Sequence, residues 1–337
     1  MANTKPMLQK IFYETGGNAL CRYLLRRNPR VIMMHNVVAD GSSDTHLTNV
    51  SRLRDILSEI KRHYTPLLFK DLLKRRQAPD TCPDNAIVLT FDDGYRSFYD
   101  LVYPLLEEYE IPATVFVCPD LIDKGTCTWP DILADLYNAG YADPESRNLQ
   151  TALSDLKRLN NQERNSYLDN AAQSLNTDLS SIMTPVHQLM NWHMLKALSR
   201  SPLVEIGSHT LTHPILANET FNSAKNEIVA SKKRLQEVLD IEIKTFCYPN
   251  GHRADYSEKH TKMISDAGYI GAASAQFGVL NEHSNQFTLP RVGGEDHDSR
   301  YGFYKYLDGV EYFQRKFLRD TDQAATVSSQ PKITEPS

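Results

Sequence analysis

Long apolar runs are missing from this chain of 337 residues. No stretch approaches the ~18 consecutive apolar residues of a membrane-spanning helix, so we expect no transmembrane segment. Residues 1–30 also lack an apolar run of signal-peptide length followed by small residues. We therefore expect a cytoplasmic location.

Cysteine pairs and a strong charge of one sign are missing as well. The cysteines are odd in number and none belongs to a CxxC pair, which favours free thiols in a reducing compartment over disulfides or a cysteine metal site. They are Cys21, Cys82, Cys118, Cys127 and Cys247. The 37 basic and 42 acidic residues leave a net charge of −5, which creates no field that would attract nucleic acid. Nucleic acid is therefore not an expected partner.

The chain has an ordinary globular composition, with 41% hydrophobic and 23% charged residues, and is long enough for a large core. From Arg30 to about Ala113, and again after about residue 200, apolar β-branched runs alternate with amphipathic stretches. This alternation predicts parallel strands covered by helices, an α/β fold. Residues of about 128–200 show helical patterns only and are predicted to form a helical insertion. Residues 318–337 lose apolar periodicity and are predicted to be disordered.

An apolar stripe with helical spacing lies near the N-terminus, among basic residues. Its members are Met7, Leu8, Ile11, Phe12, Leu20, Tyr23 and Leu24. A basic amphipathic helix can lie on a membrane surface. We favour a helix that packs its stripe on the α/β domain, because Gly16 and Gly17 interrupt the stripe.

Two carboxylates, Asp92 and Asp93, follow the strand-like run AIVLTF and precede Gly94, which can take a sharp turn. Active sites of α/β barrels lie at this end of the strands. Adjacent side chains on an extended chain point apart, so one carboxylate can bind a metal while the other faces a water. A turn that only solvates the end of a strand is the alternative interpretation.

Two histidines, His209 and His213, follow the strand-like run LVEIGS. In a helical turn, positions i and i+4 share a face, which would bring both imidazoles to one cation. Pro214 limits the length of that turn. An isolated HxxxH pattern is weak. Together with FDDG at another strand end, it indicates a site of two nitrogens, one carboxylate and open positions for water.

The paired motifs TFDDG and SHTLTHP, each after a strand, resemble those of the polysaccharide deacetylase family, the family 4 carbohydrate esterases with the NodB homology domain. The resemblance covers roughly Arg30 to Glu295 and implies an irregular (β/α)7 barrel. We therefore predict a helical segment over 1–29 and a barrel with the helical insertion over 30–317, followed by the tail.

The resemblance also assigns roles to the motif residues. It implies that Asp92 is the catalytic base, and that Asp93, His209 and His213 bind one divalent metal ion. Zinc is favoured for a mixed nitrogen and oxygen site, and cobalt or nickel suits the same ligands. The implied function is removal of acetyl groups from N-acetylated sugars of a polysaccharide or its precursor, by a metal-activated water. The alternatives are a sugar O-deacetylase and a non-catalytic carbohydrate-binding relative.

The third motif departs from the family pattern. Where relatives usually have Arg-x-Pro-Tyr, this chain has FCYPNG, with Cys247 in the arginine position. The backbone N–H of Asn250, after Pro249, can still stabilise an oxyanion. Arg291 is the nearest substitute for the missing arginine and stands where relatives carry a general-acid histidine. A structural ion pair is its alternative interpretation.

A replacement for the missing acid is His35, which ends the first predicted strand. Exopolysaccharide-type N-acetylglucosamine deacetylases, which the N-terminal half resembles, have a Tyr-His there. The alternative interpretation is that His35 is a structural histidine in the core whose hydrogen bonds are satisfied. His252 is the second candidate acid. The remaining histidines are expected on the surface or in loops: His46, His63, His187, His193, His260, His283 and His297. Trp129 and Trp192, at the ends of the insertion, either stack on a sugar or anchor the insertion by burial.

Overall fold

The computed structural model describes residues 5–44, 47–143, 145, 148–294 and 299–317. The chain forms two compact units. One combines Met1–Arg26 with His297–Ser337, and the other is Arg27–Asp296. The domain boundaries drawn from the sequence stay predictions, and the predicted disordered tail, 318–337, lies outside the described residues.

The strands all lie in the larger unit, as far as the structure describes it. They are β1 (Arg30–Met34), β2 (Val37–Val38), β3 (Thr48–Asn49), β4 (Thr65–Pro66), β5 (Ala86–Phe91), β6 (Ala113–Val117), β7 (Val204–Ser208), β8 (Thr245–Cys247), β9 (Gly271–Phe277) and β10 (Leu289–Gly293). β1, β10, β9, β8, β7, β6 and β5 are neighbours in that order, and β5 pairs again with β1. The result is a closed barrel of seven parallel strands, which confirms the predicted α/β barrel. β4 pairs with the start of β5, and β2 pairs with β3.

The helices are, in chain order, α1 (Lys5–Glu14), α2 (Gly17–Leu24), α3 (Val50–His63), α4 (Phe69–Arg76), α5 (Tyr103–Tyr109), α6 (Pro119–Lys124), α7 (Trp129–Asn138), α8 (Leu149–Leu156), α9 (Asn161–Ser174), α10 (Leu179–Ile182), α11 (Trp192–Leu198), α12 (Phe221–Leu239), α13 (Glu258–Asp266) and α14 (Arg300–Leu307). A π-helical stretch, Phe98–Val102, leads into α5. Short 3₁₀ turns are Pro79–Thr81, Pro185–His187 and Leu216–Asn218. None of the helices in the described part of the chain has both the length and the apolar composition for crossing a membrane.

Burial explains why the barrel strands could be recognised. All six residues of β5 and all five of β6 are buried. A parallel strand that is covered on both faces has a continuous apolar sequence, and both strands follow this rule. Val31, Val88 and Phe116 from three strands pack with Phe69 and Leu72 of α4 in one core cluster. The residues at the strand ends are therefore carried by a well-packed barrel.

The helical insertion contains α7 to α11 and has a core of its own. Its buried members are Trp129, Leu133, Leu136, Ala152, Leu156, Leu168, Ala171 and Ala172. Asn160 and Glu163 form a capping box at the start of α9, with side chains that satisfy each other's backbone N–H groups. The insertion is thus a packed helical layer, which confirms the insertion predicted from the sequence.

The smaller unit packs α1 and α2 with α14 through polar and aromatic contacts. The Tyr13 ring lies 5.5 Å from Tyr301 and 5.2 Å from Tyr304, between ring centroids. Asp308 accepts hydrogen bonds from Asn18 and Arg22. The apolar stripe predicted near the N-terminus is exposed to solvent. The favoured prediction, that this stripe is buried by packing, is therefore wrong, because the inward faces of these helices are occupied by tyrosines and by the Asp308 hydrogen bonds.

Candidate active site

The predicted site residues emerge at the carboxyl ends of neighbouring strands. His35 follows β1, Asp92 and Asp93 follow β5, and His209 follows β7. The pairing of β1 with β5 continues past the strand ends, because the Asp92 N–H donates to the Met34 carbonyl at 2.8 Å. This register places the residues after both strands side by side, at the end where barrel enzymes bind substrates.

Asp93, His209 and His213 form a compact, buried group. Their ligand atoms all lie within 4.8 Å of one another. The Asp93 Oδ1 atom is 3.4 Å from His209 Nε2 and 3.2 Å from His213 Nε2. Among the described residues, Asp93 Oδ1 is buried without a hydrogen-bond partner. Two imidazole nitrogens around an unsatisfied carboxylate oxygen are the donor set that a zinc-like cation binds, so the residues fit the predicted metal.

His209 is oriented by the backbone of the next barrel strand. Its Nδ1 lies 2.8 Å from the Cys247 carbonyl oxygen, which can only accept, so Nδ1 carries a proton. Nε2 is then the nitrogen left for a cation, the arrangement that second-shell carbonyls impose on metal-binding histidines. Burial lowers the pKa of His213 despite the neighbouring Asp93 carboxylate, which favours the neutral imidazole that metals bind.

The loops that carry these ligands have unusual backbone conformations. Asp93 has φ 69°, Thr210 has φ 66° and His213 has φ 62°, all in the left-handed region that non-glycine residues rarely adopt. Gly94 has φ 80°, and a Cβ there would lie 2.7 Å from Val117 Cγ1. The expected helical turn between the two histidines is therefore wrong. An irregular loop brings their rings to a centroid separation of 5.0 Å, because two left-handed residues redirect the chain.

Glu227 of α12 hydrogen-bonds the loop between His209 and His213. The sequence analysis did not identify this residue. Its Oε2 accepts the N–H groups of Leu211 and Thr212 at 2.8 and 2.9 Å, and its Oε1 accepts the Thr212 hydroxyl at 2.7 Å. Burial raises the pKa of Glu227, and these three donors oppose the rise. The insertion contributes as well, because Asn161 donates to the Thr212 hydroxyl oxygen at 2.9 Å. The irregular loop is thus hydrogen-bonded from two sides.

Asp92 forms a buried, two-pronged ion pair with Arg291 of β10. The Arg291 Nη1 and Nη2 atoms donate to Oδ1 and Oδ2 at 2.8 and 2.7 Å. Arg291 also donates from Nε to the Ser274 carbonyl and from Nη1 to the Thr90 hydroxyl oxygen. Burial alone would raise the pKa of Asp92, but the Arg291 charge and hydrogen bonds outweigh it and lower the pKa. Asp92 is therefore ionised at neutral pH.

Cys247 occupies the position where the family arginine was expected, and its thiol faces Asp92. Its Sγ lies 3.6 Å from each oxygen of the Asp92 carboxylate. Burial raises the pKa of this thiol, which therefore stays neutral. The guanidinium of Arg291 reaches the same carboxylate from another strand, so the charge is present although the motif position lacks it.

The two remaining candidate acids differ in position. His35 Nε2 lies 3.8 Å from Asp92 Oδ2, and its side chain is 35% exposed, at the solvent side of the carboxylate. His252 is exposed, and its backbone N–H donates to Asp255. The structure therefore brings His35 to the base, whereas the described contacts of His252 are with its own loop. The role of either as an acid stays a prediction.

Pro249 and Asn250 follow β8 at the same end of the barrel. Asn250 has φ 56°, and its Nδ2 is buried without a hydrogen-bond partner among the described residues. Gly251 has φ 69°, and a Cβ there would lie 2.7 Å from the Ala275 nitrogen, so this turn requires glycine. The tight turn leaves the backbone of Asn250 just beyond the strand end. Its oxyanion role stays a prediction.

The insertion holds the loop that carries Asp93. Gly94 O accepts the Met190 N–H at 2.9 Å, and the Arg96 N–H donates to Gln188 O at 2.8 Å. Tyr95 forms an antiparallel bridge with Leu189 between these bonds. A short stretch of the insertion thus pairs with the residues directly after the carboxylates, a contact that the sequence did not predict.

A polar cluster links the same loop to α7. Asp131 accepts the Tyr95 hydroxyl at 2.8 Å and the Thr128 hydroxyl at 2.7 Å, and its Oδ1 lies 3.6 Å from His187 Nε2. His187 Nδ1 lies 2.9 Å from Asp135 Oδ1. Burial raises the pKa of Asp131 to about 6, although His187 opposes the rise. His187 was expected on the surface or in a loop; it lies in a 3₁₀ turn, largely buried between two carboxylates.

The other aromatic and histidine predictions have mixed outcomes. Trp129 is 4% exposed and belongs to the insertion core, with the Arg164 guanidinium 4.6 Å from its ring. Trp192 donates to Asp123 of α6. Trp129 therefore anchors the insertion by burial, whereas Trp192 is partly buried and bonds the insertion to α6. His260 is buried in the capping box of α13, and the expectation of a surface position was wrong for it. His46 and His297 lie outside the described residues.

Comparison with known proteins identifies the family. The model of the polysaccharide deacetylase family matches residues 80–272, more than half of the chain. The chain belongs to the polysaccharide deacetylase family. The matched region includes both carboxylates after β5, both histidines of the candidate metal site and Cys247.

Solved structures show the same fold at low sequence identity. The deacetylase PplD of Streptococcus pyogenes, determined in complex with acetate, is 15% identical and has a TM-score of 0.60 over 83% of this chain and 98% of that protein. IcaB from Ammonifex degensii is 14% identical, with a TM-score of 0.57 over 83% of this chain and 97% of that protein. At such identities the likeness supports the barrel alone.

A curated relative is closer in sequence over a shorter region. The poly-β-1,6-N-acetyl-D-glucosamine N-deacetylase of Escherichia coli K12 is 35% identical over 85 residues. These residues are 24% of this chain and 12% of that protein, so the match spans only a small part of the relative.

Proposed function

We propose that this protein is a hydrolase that depends on one divalent metal ion and removes acetyl groups from N-acetylated sugars of a polysaccharide or its precursor. The observation that carries this proposal is the buried, unsatisfied Asp93 Oδ1 between His209 Nε2 and His213 Nε2, next to the ionised Asp92. Membership in the polysaccharide deacetylase family and the similarity to an N-acetylglucosamine polymer deacetylase support the amide substrate.

Asp93, His209 and His213 would hold the metal. A divalent cation bound there would supply Lewis acidity toward the acetyl oxygen and a water of lowered pKa. We propose zinc, because two imidazoles and one carboxylate suit it, with cobalt and nickel as metals that accept the same ligands. The Cys247 carbonyl fixes the Nδ1 proton of His209, and Glu227 fixes the loop of His213, so the protein orients both nitrogens before any cation arrives.

Asp92 would act as the general base. Its pKa lies below the ordinary value, so it can accept a proton from water at neutral pH. Arg291 binds both of its oxygens and restricts the orientation of the carboxylate. His35 Nε2 lies 3.8 Å from Oδ2 of the same carboxylate.

Two residues would complete the reaction. The Asn250 backbone N–H would donate to the oxygen that gains negative charge when the acetyl carbon becomes tetrahedral. His35, at 3.8 Å from Asp92, would give a proton to the leaving nitrogen, because an amine departs poorly without protonation. Its partial exposure leaves it accessible to the sugar.

Acetate release from two matched substrates tests this function. Metal-loaded protein is incubated with a β-1,6-linked N-acetylglucosamine oligomer and with an O-acetylated sugar of the same length, and Asp92→Asn is the control. We expect acetate from the N-acetylated oligomer, loss of activity with a chelator and recovery with zinc. Release from the O-acetylated sugar alone would indicate an O-deacetylase. No release from either by the metal-loaded protein would contradict the proposal and favour a non-catalytic relative.

A further inference from the structure

The smaller unit presents exposed apolar side chains on both α1 and α2. We define the apolar face as Met7, Leu8, Ile11, Phe12, Leu20, Tyr23 and Leu24, whose exposures range from 42% to 67%. They are seven of the ten exposed large hydrophobic side chains among the described residues. On α1 they repeat at i and i+4, and on α2 at i, i+3 and i+4, so each helix contributes one stripe. Exposed apolar surface concentrated in this way marks a contact with something other than water.

The opposite side of the same helices is polar and paired. Asp308 is fully buried and accepts the Asn18 amide at 2.7 Å and the Arg22 guanidinium at 2.6 Å. Tyr13 of α1 lies against two tyrosine rings of α14. In α1 and α2 the polar side chains therefore face the protein and the apolar side chains face solvent, the reverse of an ordinary amphipathic helix packed on a core. Specific polar contacts fix the helices in place, and the apolar side chains are left facing outward.

The charge around the apolar face narrows the choice of partner. Residues 1–29 contain five basic side chains and one acidic side chain, although the whole chain has a net charge of −5. Lys10 on α1 is exposed, with its Nζ 3.7 Å from Glu14 Oε1, and the Arg26 guanidinium lies 4.4 Å from the centre of the Tyr23 ring. A tyrosine next to an arginine suits the boundary between lipid headgroups and acyl chains, because the tyrosine ring is apolar whereas its hydroxyl and the guanidinium are polar. Basic side chains beside an apolar stripe match an anionic lipid surface.

We propose that α1 and α2 dock the protein on an anionic membrane surface, with the apolar face inserted at the headgroup boundary and without crossing the bilayer. A second copy of the chain is a poorer partner for this surface. A symmetric dimer would bring the same face of both copies together, and with it their Lys10 and Arg26 side chains. Like charges would then meet at the margin, whereas phosphate headgroups would neutralise them.

Vesicle co-sedimentation of the purified full chain tests the proposal. The probes are vesicles of phosphatidylcholine alone and vesicles with about 30% phosphatidylglycerol, the anionic component. We expect binding to the anionic vesicles, with an affinity that falls as salt rises. Leu8→Glu and Leu20→Glu should each weaken binding about tenfold or more, because each removes one buried leucine and adds a charge. Lys10→Gln and Arg26→Gln should each weaken it about fivefold.

Phe221→Glu is the matched control. Phe221 on α12 is 60% exposed, similar to Leu8 and Leu20, but lies outside the apolar face. This variant should bind vesicles like the wild type. Acetate release from a soluble oligomer should be unchanged in all of these variants, since none of the residues belongs to the candidate active site. The binding result is therefore independent of the proposed catalytic function.

Three results would overturn the proposal. The first is absence of vesicle binding by the wild type while it is monomeric in solution. The second is a dimer, seen by light scattering, that Leu8→Glu converts to monomers without any vesicle binding, which would assign the face to a second copy. The third is vesicle binding that Leu8→Glu and Phe221→Glu weaken equally.

Discussion

The guanidinium of Arg291 binds both carboxylate oxygens of Asp92, at 2.8 and 2.7 Å, although the two residues lie 199 positions apart in the chain. Arg291 is 2% exposed and also donates to Ser274 and Thr90. β10 thus carries a positioning residue for the proposed base on β5. Because the pair is buried, its charge acts on the Asp92 pKa with little screening by water.

Replacing Arg291 should therefore change the pH dependence of activity. In Arg291→Gln the burial of Asp92 is no longer offset, so its pKa rises. Since the base acts when ionised, we expect the acidic limb of the kcat/KM profile to move to higher pH.

The same ion pair should also affect folding stability. In the wild type it stabilises the fold above the unfolded pKa of aspartate, and this effect is lost as pH falls through the lowered folded pKa. Loss of one partner should reduce the unfolding free energy at neutral pH by about 3–5 kcal/mol.

The pH profile of a metal-loaded Arg291→Gln protein, together with urea unfolding, measures both effects. Arg291→Lys is the conservative comparison, because lysine keeps the charge but cannot donate to both oxygens in one plane. An acidic limb that stays in place in both variants would show that Arg291 serves stability alone.

Glu227 should influence metal affinity without touching the metal. In Glu227→Ala, the N–H groups of Leu211 and Thr212 lose their acceptor, so the loop before His213 loses its support. Loss of such outer contacts typically weakens metal binding about 10–100-fold. Glu227→Gln keeps an acceptor oxygen and should retain most of the affinity.

Competition with a chromogenic chelator measures this affinity. Glu237→Ala is the matched control, because Glu237 lies on the same helix and forms an exposed pair with Lys233 at 3.7 Å. Equal zinc affinity in Glu227→Ala and Glu237→Ala would rule out a role of Glu227 in the site.

Asp131 should make stability depend on pH. Its pKa is raised from 3.8 to about 6, so the folded protein favours the protonated carboxyl. This contribution is present below the unfolded pKa and is lost as pH rises through about 6. Asp131→Asn keeps an acceptor for the Tyr95 and Thr128 hydroxyls but does not titrate. At each pH we compare the unfolding free energy of the variant with that of the wild type. Between pH 4 and pH 7 this difference should shift in favour of the variant, by at most about 3 kcal/mol. Urea unfolding of the metal-free proteins measures it, and a difference that is constant with pH would contradict the pKa shift.

His35 should matter for amides and not for activated esters. If it protonates the leaving nitrogen, His35→Ala should slow amide cleavage about 10²- to 10⁴-fold, while an ester with a good leaving group reacts without that proton. Comparing both substrates on wild type and variant gives the rate ratio. An unchanged ratio would make His35 a structural residue, and His252→Ala would then be examined by the same comparison.

The candidate metal-site residues could be predicted because local sequence positions them. Asp93 follows a continuous apolar strand and precedes glycine, and such strands end at the active face of a barrel. The loop shape could not be predicted. Thr210 and His213 are left-handed, and Glu227 binds Leu211 and Thr212 between them only after α12 packs behind the loop.

Tertiary contacts also explain the other features that the sequence did not predict. β10 was not recognised as a strand because Pro290 and Arg291 interrupt its apolar pattern, although both neighbours pair with it. Asp131 and His187 meet 56 positions apart in an insertion whose helices gave no sign of polar contacts with the barrel. The apolar stripe near the N-terminus was visible, but periodicity does not tell which side of a helix faces solvent.

Zinc titration of Asp93→Ala and Asp92→Asn tests the central claim most directly. The two carboxylates are neighbours in the chain, yet Asp93 faces both histidines while Asp92 faces Arg291. By calorimetry, we predict stoichiometric zinc binding by the wild type and by Asp92→Asn, with turnover of the latter reduced by about 10² or more. Asp93→Ala should lose zinc binding and turnover together. Stoichiometric, wild-type-like zinc binding by Asp93→Ala, or loss of zinc from Asp92→Asn, would contradict the account.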